Sequence, residues 1–225
     1  MKHIYIPLFI LLTLSFTSCK KNYIADGGVS NPKVNMTTYD FLKSDTLFTD
    51  LVHLIDRAGL KDAVNGDITF FATTNYGVED YRKAMKQKRA VELGDENITY
   101  TLDSIPLAEL DSLKTYMFAG NLGRENLTVK GKLYNSLFGP IPNVQYLIYL
   151  NRQFIYGAYV DHVDYVTYVK VIGTRDDLEL HPENIKEKDK DHAVTVQTSG
   201  IITTTGVVHV LDGFHRLFFN NDALN

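Results

Sequence analysis

Few residues of this 225-residue chain combine a type and a spacing that could do chemistry. His209 and Asp212 come nearest, an imidazole and a carboxylate in Gly206-Val207-Val208-His209-Val210-Leu211-Asp212-Gly213. That run is β-branched and apolar, so it reads as a strand buried on both faces. Positions i and i+3 of a strand point to opposite faces, which argues against a working pair. His209 is therefore expected to be a core residue whose ring nitrogens bond to backbone or a nearby hydroxyl. Asp189, Asp191 and His192 could meet a cation, but lysines are interspersed among them. The glycine and distal glutamate of a calcium loop are also missing, so no metal is expected. No Gly-x-Ser-x-Gly, P-loop, Gly-x-Gly-x-x-Gly or His-Glu-x-x-His is present. An enzyme is not expected, and neither is a cofactor.

Two surface features could bind rather than react. Arg82, Lys86 and Arg89 share one face of a helix by their spacing. They would suit an acidic glycan or phospholipid headgroups, or form an ordinary solvated face. Tyr146, Tyr149, Tyr156, Tyr159, Tyr165 and Tyr168 cluster in the second half of the chain. Exposed, they could stack on sugar rings; packed, they would cover sheet faces and keep the hydroxyl wet. The net charge of −4 gives no basic footprint for nucleic acid.

The only cysteine is Cys19. It follows a positive start, Met1-Lys2-His3, and an apolar run from Ile4 to Phe16 that is too short for a comfortable membrane span. One reading is a chance cysteine beside an ordinary signal cleavage site. The other is a bacterial lipoprotein signal, which Thr17-Ser18-Cys19 resembles although Phe16 stands where leucine is usual. On that reading residues 1–18 are removed and Cys19 carries lipid. The chain is then held at the outer membrane of a cell envelope without a spanning helix, its face undetermined. Residues 19–36 are polar, with Gly27-Gly28 and Pro32, and read as a tether.

The elements that position these residues alternate in type. A helix start at Thr37-Thr38 is followed by an amphipathic helix over Leu47 to Gly59. Ile68-Thr69-Phe70-Phe71-Ala72 is a short apolar strand, and Asn75 suits the N-cap of the basic helix after it. Residues 91–105 read as a connection. Leu107, Leu110, Leu113, Met117 and Phe118 predict another helix, ending at Gly120. Strands are predicted over 133–138, 144–150, 154–160, 163–172, 193–197 and 201–204, with 176–192 an exposed charged loop.

Two of these segments together resemble the fasciclin (FAS1) domain family. Thr69-Phe70-Phe71-Ala72-Thr73-Thr74-Asn75 is similar to its first motif, with Thr73 in place of proline. Gly206-Val207-Val208-His209-Val210-Leu211-Asp212 is similar to its second, with Thr205 in place of asparagine. The resemblance implies an α+β fold: a β-sandwich or wedge of about seven strands with several helices packed at one side. It implies a single domain over 37–221, with insertions near 76–105 and 139–192. Phe70, Phe71, Asn75, Gly206, His209 and Asp212 would then be structural motif residues. The family's Tyr-His pair between the motifs is not matched, since the histidine position falls near Tyr116. The Asp-Ile before the second motif is not matched at Gly200-Ile201 either. The resemblance implies a non-enzymatic adhesion or interaction module for a protein or surface polysaccharide. The alternative is an accessory glycan-binding lipoprotein beside an outer-membrane polysaccharide-uptake system.

Overall fold

The computed structural model describes residues 32–220 apart from 156, 158 and 159. Cys19, the expected leader and most of the expected tether lie outside the described residues, as do Tyr156 and Tyr159. The last five tether residues are bonded into the fold. Ile202 N–H donates to Pro32 O at 2.8 Å, Val34 N–H to Ile202 O at 2.8 Å, and Thr204 N–H to Met36 O at 2.9 Å. The fold thus includes residues 32–36, ahead of Thr37.

Seven strands form one sheet: β1 (Ile68–Ala72), β2 (Met117–Ala119), β3 (Lys132–Tyr134), β4 (Val144–Gln153), β5 (Val163–Ile172), β6 (His192–Ile202) and β7 (Gly206–Leu211). Their spatial order is β2-β1-β7-β6-β5-β4-β3. The two motif strands lie side by side and parallel, with Ile68 opposite Gly206 and Phe71 opposite His209. Every other strand pairing in the sheet is antiparallel. The sheet curls until its edges nearly meet. Leu137 N–H, just past β3, donates to Met117 O of β2 at 2.8 Å. Phe118 of β2 lies 6.4 Å from the Tyr134 ring and 5.7 Å from the Tyr146 ring. This is the expected α+β wedge of about seven strands.

The curl creates two packing layers. Phe71, Phe118, Tyr146, Tyr168 and His209 fill the inside of the curled sheet with rings. The alternate residues of the motif strands, Phe70, Ala72, Val208 and Val210, point the other way. They are buried together with the apolar stripes of the helices. These are α1 (Thr38–Ser44), α2 (Thr49–Arg57), α3 (Lys61–Val64), α4 (Asn75–Leu93) and α5 (Leu107–Leu110). Among the described residues no helix is long and apolar enough to cross a membrane.

Four element expectations change. The helix predicted from Leu107 to Gly120 ends at Leu110, continues as a 3-10 helix over Asp111–Tyr116, and gives way to β2. Leu110, Leu113 and Tyr116 recur every third residue, which a 3-10 turn stacks on one side, so all three are buried without an α-helix. The described residues among 154–160 lie in no strand, and the expectation for 156, 158 and 159 falls outside the described residues. The strand expected over 133–138 is the three-residue β3. The two strands expected over 193–204 are one, β6, whose register slips twice between Val196 and Ile201 against β7.

Gly206 is required where β7 meets β1. A Cβ there would sit 2.2 Å from Ile68 O, far inside contact distance. Gly206→Ala must push the central pair apart and is expected to destabilise the domain by at least about 2 kcal/mol, read as a lower urea midpoint.

Candidate functional site

The motif residues build a core. Phe71 is stacked between Tyr168 (4.7 Å) and His209 (4.9 Å), and Phe70 and Phe71 are both buried. His209 Nδ1 accepts from Gly200 N–H at 3.2 Å, and Nε2 lies 3.0 Å from Leu122 O. A carbonyl only accepts, so Nε2 carries the proton and the ring is neutral. Burial depresses the His209 pKa to about 4, with the Leu122 carbonyl opposing that shift. Asp212 does not reach it. Asp212 Oδ1 instead accepts from Phe214 N–H (3.0 Å) and His215 N–H (3.1 Å), folding the loop after β7.

Asn75 does not cap its own helix; the N-cap of α4 is Thr74. The Asn75 side chain instead accepts from Asp50 N–H at 3.0 Å and donates to Thr46 O at 2.8 Å. It ties the start of α4 to the start of α2, whose own N-cap residue Phe48 offers no side-chain bond.

A tyrosine–histidine pair does form, from residues far apart in the chain. Tyr116 Oη lies 2.8 Å from His215 Nε2, and Tyr116 Oη also accepts from Phe218 N–H at 2.7 Å. The imidazole nitrogen is the acceptor within reach of the buried phenol O–H, so the phenol donates to it. Both groups are buried. Desolvation pushes the Tyr116 pKa up and drops that of His215 to about 3. The bond holds a strained segment, because Phe218 (φ 63°) and Phe219 (φ 52°) are both left-handed without being glycine. Phe219 stacks on Tyr116 at 5.9 Å, and Phe218 meets Tyr81 edge-on at 5.3 Å. Helix α4 comes close enough that a Cβ on Gly77 would lie 2.1 Å from His215 O.

The basic helix face is largely neutralised. Arg82 is forked onto Glu79 at 2.6 Å and also donates to Tyr100 O at 2.9 Å. Arg89 pairs with Glu92 at 2.8 Å. Lys86 lines a shallow groove of about 570 Å³ with Lys83, Gln87, Val91 and Glu96. Both arginine pairs are i,i+3 in sequence, a signal that spacing alone could have supplied.

The acidic loop is likewise structural. Asp191 accepts from Ile172 N–H and Asp176 N–H, each at 2.9 Å, and Asp176 accepts in return from Asp191 N–H at 2.9 Å. This reciprocal clasp closes the base of residues 173–191. Among the described residues no three His, Cys, Asp or Glu side chains gather as a metal site.

That clasp borders a cleft of about 650 Å³ against the outer side of β4, β5 and β6. Leu147, Val169 and Ala193 form its apolar floor, and Tyr149 lies among them. Arg175 and Asp177 stand at its polar side. Arg175 Nε and Nη2 fork onto Asp177 at 2.9 and 2.7 Å, which holds that carboxyl below its usual range. Tyr146 and Tyr168 belong to the ring-filled interior and Tyr165 is half-buried, so Tyr149 is the described tyrosine of the sequence cluster that lines this cleft.

No family model matches the chain, and no curated protein matches it. Among solved structures, the chain is similar to a FAS1 domain pair from the insect cell adhesion molecule fasciclin I. The two are 15% identical with a TM-score of 0.47, over 84% of this chain and 53% of that one. The chain therefore spans about half the length of that pair.

The two buried histidines set a pH dependence. Each folded-state pKa lies below the unfolded value of about 6.5. As pH falls, the unfolded chain binds protons first, so stability is full above pH 6.5 and declines until the folded-state histidines protonate, near pH 4 for His209 and pH 3 for His215. Between pH 6.5 and 5 the urea-derived stability should fall with a slope approaching roughly 2–3 kcal/mol per pH unit. His209→Gln should remove about half of that slope.

Proposed function

We propose that this chain is a non-enzymatic, membrane-anchored interaction module of the cell envelope, binding a protein or a surface polysaccharide. The observation that carries the reading is the cleft on the outer side of β4–β6. It is concave, apolar at its floor and edged by a few polar groups, as binding sites are. The groups best suited to acid–base work, His209 and His215, are instead buried, neutral and bonded into the core. The pairs His53–Asp103, His162–Asp161 and His181–Glu183 stand outside this cleft.

The cleft's chemistry favours the second reading, an accessory glycan-binding lipoprotein beside an outer-membrane polysaccharide-uptake system. An aromatic ring beside an apolar floor suits the C–H face of a sugar, and the Arg175–Asp177 fork suits neighbouring hydroxyls. Titration calorimetry against a polysaccharide panel should detect binding that Tyr149→Ala weakens about tenfold or more, with Lys86→Glu neutral. No binding to any polysaccharide, with a protein partner recovered by crosslinking, would discard the glycan reading in favour of the protein one.

Anchoring rests on Cys19. Cys19→Ala should release the protein from membranes or block its maturation. A mutant that is processed like the wild-type chain and still fractionates with membranes after a high-salt wash would refute the lipid anchor.

A further inference from the structure

The cleft on the outer side of β4–β6 joins two kinds of surface. Its floor is aliphatic. Leu147 of β4 stands opposite Val169 of β5, and Val169 opposite Ala193 of β6, so the three form one row across the sheet. Leu147 and Val169 pack with Val171, Leu133 and Tyr149 as a small cluster apart from the main core. Val129 and Leu178 add apolar surface at the margins, 47% and 66% exposed. Tyr149 is the one aromatic side chain in the lining. It is held from behind by the turn at Gly131, where a Cβ would lie 2.6 Å from Tyr149 Cβ and 2.7 Å from Leu147 Cδ1.

The polar side keeps hydrogen-bonding groups of both kinds in reserve. Arg175 commits Nε and Nη2 to Asp177, and Nη2 also reaches Lys130 O at 3.3 Å. Nη1 bonds to no described residue, so its N–H donors are left for a ligand. The guanidinium is held charged by Asp177 above all, against the cost of burial, and then by Asp191 and Tyr149, which places it near the ring. Asp176 commits Oδ2 to Asp191 N–H, while Oδ1 has no partner among the described residues. Asp177 and Asp191 have both oxygens engaged. Asp176, Asp177 and Asp191 outnumber Lys130 and Arg175 in the lining, which leaves no excess of positive charge for an acidic sugar.

We infer that this cleft selects sugars bearing an acetamido group, a class within the glycan reading proposed above, on which the inference rests. A sugar substituted only with hydroxyls sets polar groups over the floor, and an aliphatic surface returns them no hydrogen bond. An acetamido group carries a methyl, a carbonyl acceptor and an N–H donor. The methyl suits the Leu147–Val169–Ala193 row, the carbonyl accepts from Arg175 Nη1, and the N–H donates to Asp176 Oδ1. The C–H face of the sugar ring lies on Tyr149. Arg175 and Asp176 are then the specificity-determining residues. An amino group at the same carbon lacks the methyl and the carbonyl, and a hydroxyl lacks the methyl, so each matches the cleft less well.

The test is titration calorimetry of the full chain against three probes of equal length: a chito-oligosaccharide, its fully deacetylated counterpart and a cello-oligosaccharide. They carry an acetamido, an amino and a hydroxyl group at the same carbon. The acetylated probe should bind about tenfold or more tighter than either of the others. Asp176→Asn keeps an acceptor for Asp191 N–H but turns the other oxygen into a donor, and should narrow that preference severalfold at an unchanged urea midpoint. Ala193→Ser, which sets a hydroxyl on the floor without touching the clasp, should narrow it too. Equal or tighter binding of the hydroxyl or amino probe overturns the inference and leaves the glycan reading standing. If none of the three binds, the polysaccharide panel decides. Binders confined to acetamido-bearing polysaccharides sustain the inference, and a binder without that group overturns it. A panel with no binder at all means that the glycan reading has failed, and the inference with it.

Discussion

The parallel pairing of β1 with β7 is the constraint on which the structure depends. It joins two strands from opposite ends of the domain and places them beside each other within one sheet. Both are buried on both faces, because one set of side chains enters the curled sheet and the other meets the helices. Neither layer is complete until β7 has arrived. The loop closed by that contact contains most of the fold, so its entropy must be offset by many contacts formed together. The close approach at Gly206 and the Phe71–His209 stack are where that condensation is tightest.

Beyond β7 the chain stores strain and holds it with one phenol. Two consecutive left-handed phenylalanines cost about 1–3 kcal/mol each. Tyr116 offsets this by accepting from Phe218 N–H, bonding His215 and stacking on Phe219. Burial keeps the tyrosine and the histidine neutral across the physiological range. The same groups that would suggest catalysis on a surface here act as fasteners. The outer side of β4–β6 carries the cleft of the proposed function, where the Asp176–Asp191 clasp holds residues 173–191 beside Tyr149.

Some of this was legible in the residues. The alternation-free run over 207–211 and the apolar run over 68–72 predicted buried strands, and both are present. The stripe through Leu51, Leu54 and Ile55 predicted a helix, which is α2. Errors arose where two geometries share a spacing. Leu110, Leu113 and Tyr116 suit an α-helix or a 3-10 helix equally well, and only the pairing of Met117–Ala119 with β1 decides between them.

What the sequence by itself determined is local: which segments are apolar on one face or two, where turns fall, and which residues surround the single cysteine. Those properties depend on neighbours within a few positions. The tertiary structure alone decided that Tyr116 meets His215, that Asn75 serves the neighbouring helix, and that Tyr149 faces a cleft while Tyr146 and Tyr168 fill the interior. The reason is geometric. Strand alternation assigns a residue to one side or the other, but the curl of the sheet decides which side becomes a core and which becomes a surface, and that curl is set by contacts between β2 and the β3 edge that no local pattern encodes.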